Sequence, residues 1–345
     1  MVVLEVLFIF GFIIAFHEFG HFIVARMLGM KVDYFSIGFG PVIFGFKYRG
    51  TEFLLSAIPA GGYVKPAGPN FREDLKADDP DNGNYLVSRP PWQKFLVYVA
   101  GPLFNLLLAI VLVAGMTYCF GIPTEPTTTI ESVAVGSPAE KAGLKGGDRI
   151  IAVEGRGTDS WEKVVSSIQE SSGETLRVEI ERRGEPLMAI VNPTVVSNKR
   201  MIGIMPVFKT EDVGLFDSVL AGVRGTWAMS KMQLSGLVGL ITGKFSPKDM
   251  SGPIGIMQAT GKAAESGWKE LISFVIMINV CLGVLNLLPV PVLDGGWIML
   301  AGIEMLLGRP LSKNVQAWLL GIGTILMLSL MFFASYIDIL RLMGK

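Results

Sequence analysis

Ile13-Ile14-Ala15-Phe16-His17-Glu18-Phe19-Gly20-His21-Phe22-Ile23 sets two histidines and a carboxylate inside an apolar run. On a helix, His17 and His21 stand one turn apart and point the same way. Two imidazoles so placed can hold one zinc ion, with Glu18 beside them as a general base. The surrounding stretch, Val2 to Met30, is long enough to cross the hydrocarbon core, which takes about 20 residues as a helix. It has no basic start, and its polar cluster lies where an apolar core would continue, so it reads as a membrane span rather than a cleaved signal peptide. Ionisable groups inside a span are costly and mark function. This cluster uses every histidine in the chain.

The rest of the 345 residues supports a membrane protein. Half are hydrophobic and only 17% are charged, against about 25% in a soluble domain. No charged side chain occurs in residues 95–120, 271–293 or 314–337. We therefore expect four spans, near 2–28, 94–120, 271–289 and 315–340. Lysine plus arginine balances aspartate plus glutamate, 30 against 30, which excludes a strongly basic nucleic-acid binder and an acidic tail. Cys119 and Cys281 are the only cysteines, too few for a disulfide framework or a cysteine-rich zinc site.

The loop 31–92 carries Lys31, Lys47, Arg49, Lys65, Arg72, Lys76 and Arg89, and the connection after the third span carries Arg309 and Lys313. Positive-inside counting puts both in the cytoplasm and both chain ends outside, with 121–270 also outside; Arg341 and Lys345 pull weakly the other way. Residues 127–208 are rich in charge and in Gly turns, with β-like runs at Leu176–Ile180 and Leu187–Val191 and an amphipathic helix at Ser160–Glu170. They read as a small α+β domain. Residues 213–245 are apolar but broken by Asp217, Arg224 and Lys231, as in a helix lying in the interface. Residues 33–65 are β-like, aromatic and too Gly-rich for a helix. We expect a small sheet dipping into the membrane, tolerated where it packs on protein or lines a wet cavity. The boundaries are 1–125 for an N-terminal membrane domain, 126–210 for the α+β domain, and 211–345 for the interfacial helix and a C-terminal membrane domain.

A catalytic zinc normally takes three protein ligands and a water. No third histidine exists, so the third ligand must be a carboxylate, a cysteine or a neutral oxygen donor. Asp294 stands out, at the end of Asn286-Leu287-Leu288-Pro289-Val290-Pro291-Val292-Leu293-Asp294-Gly295-Gly296. The prolines break the helix, and a carboxylate at that depth needs a cation, which zinc would supply; the lesser alternative is an N-cap of the helix that follows, and the two roles can coexist. Glu5, Glu304 and Asp338 lie nearer span ends and are expected to face headgroups.

These motifs, with Gly101-Pro102-Leu103-Phe104-Asn105 and Ser251-Gly252-Pro253-Ile254-Gly255, resemble the site-2 protease family of intramembrane zinc metalloproteases. The likeness is closest to the bacterial branch that includes the regulator of sigma-E protease. The resemblance implies that His17, His21 and Asp294 bind one Zn2+ per chain, that Glu18 is the catalytic base, and that Asn286 orients substrate backbone. It carries Asn105 over as a substrate contact; a helix–helix hydrogen bond is the other reading. Ser137-Pro138-Ala139 and Gly143-Leu144-Lys145-Gly146-Gly147-Asp148-Arg149-Ile150 resemble a PDZ domain, which binds an extended peptide or C-terminus by strand addition. Residues 33–65 resemble the family's membrane-embedded β element, which offers an edge strand to substrate. Trp297 and Pro66 depart from the family pattern, and there is one PDZ-like domain where the best-known proteobacterial members have two.

The expected protein is a polytopic α-helical membrane protein of about four transmembrane helices, with a membrane-embedded β element and a small extracytoplasmic, PDZ-like α+β domain. Its expected place is the inner (plasma) membrane, multi-pass, with that domain on the periplasmic side. Its expected work is zinc-dependent cleavage of the transmembrane segment of a single-span membrane protein, such as an anti-sigma factor or signal-peptide remnant. Its expected partners are that substrate, the lipid bilayer and a peptide at the PDZ-like domain, with no nucleic acid. The alternatives are a non-proteolytic PDZ-bearing adaptor and a zinc transporter. A transporter should carry more intramembrane histidines and acids along a path.

Overall fold

The computed structural model describes residues 2–71, 74–76, 78–196, 199–245 and 252–343. Arg72, Ser251 and Lys345, used in the sequence reading, lie outside these, as does the side chain of Glu5. The chain divides into two compact units, residues 1–115 with 216–345, and residues 116–215.

The first unit is mainly helical: α1 (Val2–Met27), α2 (Pro91–Phe120), α5 (Leu215–Ile241), α6 (Pro253–Ser266), α7 (Trp268–Leu287), α8 (Asp294–Leu307) and α9 (Lys313–Leu342). Among the described residues four segments are long and apolar enough to cross a membrane: Leu7–Met27, Pro91–Phe120, Trp268–Leu287 and Lys313–Leu342. They coincide with the four expected spans. Residues 215–241, broken by Asp217, Arg224 and Lys231, form one continuous helix that is not among those four. α1 packs on α2 through Phe16, Phe19 and Phe104, with ring centroids 5.7 and 6.0 Å apart.

Between α1 and α2 run β1 (Val32–Tyr48) and β2 (Thr51–Pro66), an antiparallel pair. Gly38, at φ +89°, bends β1 in a conformation that a side chain would resist. The bend lets β2 pair twice. Phe44–Tyr48 lies opposite Thr51–Leu55, while Tyr34–Ile37 has Glu52–Leu55 on one side and Gly62–Lys65 on the other. Residues 62–66 thus form an outer edge, and this edge lies against α1 near Ala15. Phe22, Phe35, Phe53 and Phe46 form a chain of ring contacts from α1 into the hairpin, 5.2 to 5.8 Å apart. The expected sheet at 33–65 is therefore a hairpin docked on α1.

Two acidic residues differ from expectation. Glu304 and Asp338 do not face headgroups; they are 4% and 3% exposed. Glu304 accepts from Lys94 Nζ at 3.0 Å and from the Leu311 amide at 3.0 Å. Asp338 accepts from the amides of Gly252 and Gly255, at 3.0 and 2.8 Å, at the start of α6. Each is closed off because an unpaired charge at that burial costs several kcal/mol, whereas a paired one ties two elements together.

The second unit carries β3 (Ile122–Val133), the short helix α3 (Pro138–Lys141), β4 (Arg149–Val153), β5 (Arg156–Gly157), α4 (Trp161–Glu170), β6 (Leu176–Arg182), β7 (Glu185–Val191), β8 (Thr194–Val196), β9 (Lys199–Met201) and β10 (Ile204–Glu211). One sheet runs β10-β3-β4-β6-β7, with β5 on β4, and β8 pairs with β9. The helix expected at Ser160–Glu170 is α4, with the Ser160 hydroxyl accepting from the Lys163 amide. The strands expected at Leu176–Ile180 and Leu187–Val191 lie in β6 and β7. Val164 and Ile168 of α4 share one buried core with Ile150, Leu176 and Val178, burial worth roughly 1.5–3 kcal/mol for each large side chain. Beneath the turn before β4, Asp148 accepts two hydrogen bonds from Arg182 at 2.7 Å and one from the Lys145 amide at 2.8 Å. Burial pushes the Asp148 carboxyl up, but Arg182 and the amide outweigh it and hold it below the ordinary carboxylate value.

Candidate metal centre

α1 delivers His17 and His21 from successive turns, their rings 4.9 Å apart at 82°. The third group comes from 273 residues further along the sequence than His21, and the motif around Asp294 explains how. Pro289 and Pro291 follow directly on α7 and cannot continue it. The chain reverses through Leu288–Leu293 with Val292 at φ +86°. That conformation is strained for a β-branched residue, by about 1–3 kcal/mol. Gly295 and Gly296 then let α8 start against the loop. A Cβ at 295 would stand 1.8 Å from the Leu288 carbonyl oxygen, and one at 296 would stand 2.7 Å from the Val290 carbonyl oxygen. Asp294 is the first residue of α8, and Leu293 occupies the N-cap position. The Asp294 oxygens face the histidines: Oδ2 is 3.0 Å from His17 Nε2, and Oδ1 is 3.4 Å from His21 Nε2.

One ligand atom from each of His17, His21 and Asp294 lies within 4.8 Å of the others. His17 Nε2 and His21 Nε2 are 3.2 Å apart. Two nitrogens and a carboxylate oxygen, converging from three directions, are the N/O donor set that suits zinc and leave a fourth position open. The residues fit one zinc ion.

The surroundings complete the site. His21 Nδ1 is 2.7 Å from the Val97 carbonyl oxygen. Gly101 sits four residues on in α2, where a Cβ would stand 2.2 Å from His21 Nε2 and 2.8 Å from His17 Cε1. Any side chain there would enter the metal position. The Gly101–Asn105 motif thus begins with the residue that lets α2 approach. Glu18 accepts from the Val64 amide at 3.1 Å, on the outer edge of β2. Tyr98 and Trp297 stack at 5.6 Å, and with Tyr63 and Val64 they line a cavity of about 480 Å3.

The sequence-expected residues separate into groups. His17, His21 and Asp294 come together, with Glu18 adjacent on α1. Asn286 lies half-buried in the last turn of α7, and within the described residues its side chain makes no hydrogen bond. Asn105 is fully buried between α1 and α2, its side-chain nitrogen 3.3 Å from His17 Nδ1. Sequence reasoning missed Val97, Gly101 and the Val64 amide. The spacing 97, 101, 105 was visible as one helical face, but the carbonyl and the strand amide carry no side-chain signal.

A sequence profile of peptidase family M50 matches residues 5–330. Over 334 residues the chain is 33% identical to a candidate zinc metalloprotease of Clostridium acetobutylicum, spanning 96% of this chain and 95% of that one. It is 28% identical over 416 residues to the regulator of sigma-W protease RasP of Bacillus subtilis, spanning 99% and 98%. Among solved structures, the PDZ domain of the SdrC-like protein from Listeria monocytogenes aligns with 24% of this chain and 90% of its own, at 23% identity and a TM-score of 0.22.

Proposed function

We propose a mechanism for this chain from the premise that it belongs to peptidase family M50 and is a zinc metalloendopeptidase acting on membrane proteins. The observation that carries it is the convergence of His17, His21 and Asp294 among helices long enough to span a bilayer. Zinc held by these three would supply a Lewis acid for the scissile carbonyl and for an attacking water. Glu18 takes the proton from that water as it attacks, and delivers it to the leaving amine as the C–N bond breaks. The Val64 amide holds one Glu18 oxygen at 3.1 Å, which leaves the other to face the water.

The substrate is the transmembrane segment of a single-span protein, such as an anti-sigma factor or a signal-peptide remnant. A helix conceals its carbonyls, so the segment must unwind before it is cut. The outer edge of β2 supports a way to hold it. The Val64 amide is taken by Glu18 and Gly62 is buried beside Ala15, so a substrate strand would displace these contacts as it pairs; Pro66, lacking an N–H, ends the pairing edge. Asn286, with no hydrogen bond within the described residues, would orient the extended backbone. The experiment is cleavage of a reconstituted single-span substrate with a zinc chelator, then with zinc restored. Turnover lost and regained supports the reading; turnover indifferent to the chelator overturns it.

The hairpin lies within the membrane in this reading. Val42, Ile43, Phe44, Phe46 and Tyr48 are each more than half exposed, an apolar patch better suited to lipid than to water. Residues 213–245 lie in the interface, and residues 126–210 form the extracytoplasmic (periplasmic) domain. The protein is multi-pass in the inner (plasma) membrane. A cysteine replacing the exposed Ser166 should react with an impermeant reagent from outside, and one replacing Asp78 only from the cytoplasm. The opposite labelling overturns this orientation.

The outer domain offers a groove between α4 and β9–β10, about 250 Å3 in volume, lined by Trp161, Val165, Ile168, Met201 and Ile204. Its apolar walls support an extended peptide or C-terminus as ligand. Gln169 stands in the way. Its amide donates to the Arg200 carbonyl oxygen at 2.7 Å and accepts from the Arg200 N–H at 3.2 Å, occupying both groups that an added strand would use. Gln169→Ala should raise the affinity for apolar C-terminal peptides about tenfold, since each displaced bond is worth about 0.5–1.5 kcal/mol. Fluorescence anisotropy on the whole chain checks this, and unchanged or weaker binding argues against the groove.

A further inference from the structure

We propose that Asn105 is a positioning residue for the metal: its side-chain oxygen accepts the Nδ1–H of His17 and fixes the tautomer that leaves Nε2 free to bind. The proposal rests on the zinc reading above. A neutral imidazole has one N–H and one lone pair, and a metal takes the lone pair. His17 Nε2 is the nitrogen that faces Asp294 and His21, at 3.0 and 3.2 Å. The proton must then sit on Nδ1, where it needs an acceptor. His17 is 8% exposed and Asn105 is 0% exposed, so water is a poor candidate. The group at that nitrogen is the Asn105 carboxamide, 3.3 Å away.

The carboxamide can meet the demand. In the structure its nitrogen is the end nearer His17, and its buried Oδ1 has no hydrogen-bond partner. The two ends of a carboxamide are nearly isosteric, and a half-turn about Cβ–Cγ exchanges them. After that half-turn Oδ1 receives the imidazole N–H. One amide end lacks a partner in either orientation, but only the turned one suits a histidine whose Nε2 is bound to metal. His21 follows the same logic. Its Nδ1 faces the Val97 carbonyl oxygen at 2.7 Å. A backbone carbonyl only accepts, so His21 must carry its proton on Nδ1 and present Nε2 as the lone pair.

Both histidines are thus set from one helix face. Val97, Gly101 and Asn105 are spaced by four in α2, with an acceptor above, an acceptor below, and a glycine between that leaves room for the ion. Partners that orient metal-binding histidines are typically worth 10–100-fold in affinity.

The test measures zinc affinity by chelator competition on the detergent-purified whole chain, for wild type, Asn105→Leu and Asn105→Asp. Leucine keeps the volume and loses the acceptor; aspartate keeps acceptor oxygens and loses the donor. We expect about one zinc per wild-type chain, a 10–100-fold loss of affinity for Asn105→Leu, and near wild-type affinity for Asn105→Asp. Wild-type affinity in both variants overturns the proposal. A loss in Asn105→Asp as large as in Asn105→Leu also overturns it, because the donor end would then be what matters. If Asn105→Leu fails to elute monodisperse, Asn105→Asp decides alone: tenfold or greater weakening in a protein with native elution contradicts the proposal. If wild type itself binds no zinc, the zinc reading has failed, a result distinct from any difference among variants.

Discussion

Replacing Glu18 with glutamine should leave about one zinc per chain and remove most turnover. The carboxylate stands beside the ligand triad, not within it: the converging atoms belong to His17, His21 and Asp294, while Glu18 is held by the Val64 amide. Glutamine keeps the shape and can still accept that hydrogen bond, but it cannot take a proton from water. General-base assistance is typically worth about 10²–10⁴-fold in rate. Metal analysis and turnover on the same preparation check the prediction. An empty site in Glu18→Gln would mean that the carboxylate is a ligand.

Asp294→Ala should lose metal and activity together. The Asp294 oxygens lie 3.0 and 3.4 Å from the two Nε2 atoms, so alanine removes a third of the protein's donor set. A structural zinc site is worth roughly 10–16 kcal/mol in total. A third share corresponds to a loss of affinity on the order of 10²–10⁴-fold. The same substitution leaves the strained Val292 turn without the interaction that it serves. Chelator competition and turnover would separate this variant from Glu18→Gln. Retained stoichiometric zinc in Asp294→Ala would move the third ligand elsewhere.

The parts of the site legible in the sequence were those set by local periodicity or by residue scarcity. His17 and His21 are a helical turn apart, so the sequence alone places them on one face. Asp294 was legible because a carboxylate after an apolar run and two prolines has few uses. The four spans were legible because a bilayer demands length and apolarity together. Long-range pairings were not. Lys94 and Glu304 are 210 residues apart, and Gly252 and Asp338 are 86 apart. Nothing local tells a buried, paired acid from one at a headgroup. Asn105 was picked out with two readings, a substrate contact or a helix–helix hydrogen bond, and only the approach of α2 to α1 at Gly101 reveals that its neighbour is His17. The backbone groups of Val64 and Val97 could not be found, since every residue but proline carries an amide and all carry a carbonyl.

The most direct test of the account is the position of the cut. A single-span substrate, trimmed on its outer side, is reconstituted with the wild-type chain and zinc, and the products are sized by mass spectrometry. The account predicts a peptide bond broken inside the apolar segment, by wild type but not by Glu18→Gln. Cleavage confined to the aqueous flanks of the substrate, or equal cleavage by both proteins, would contradict it.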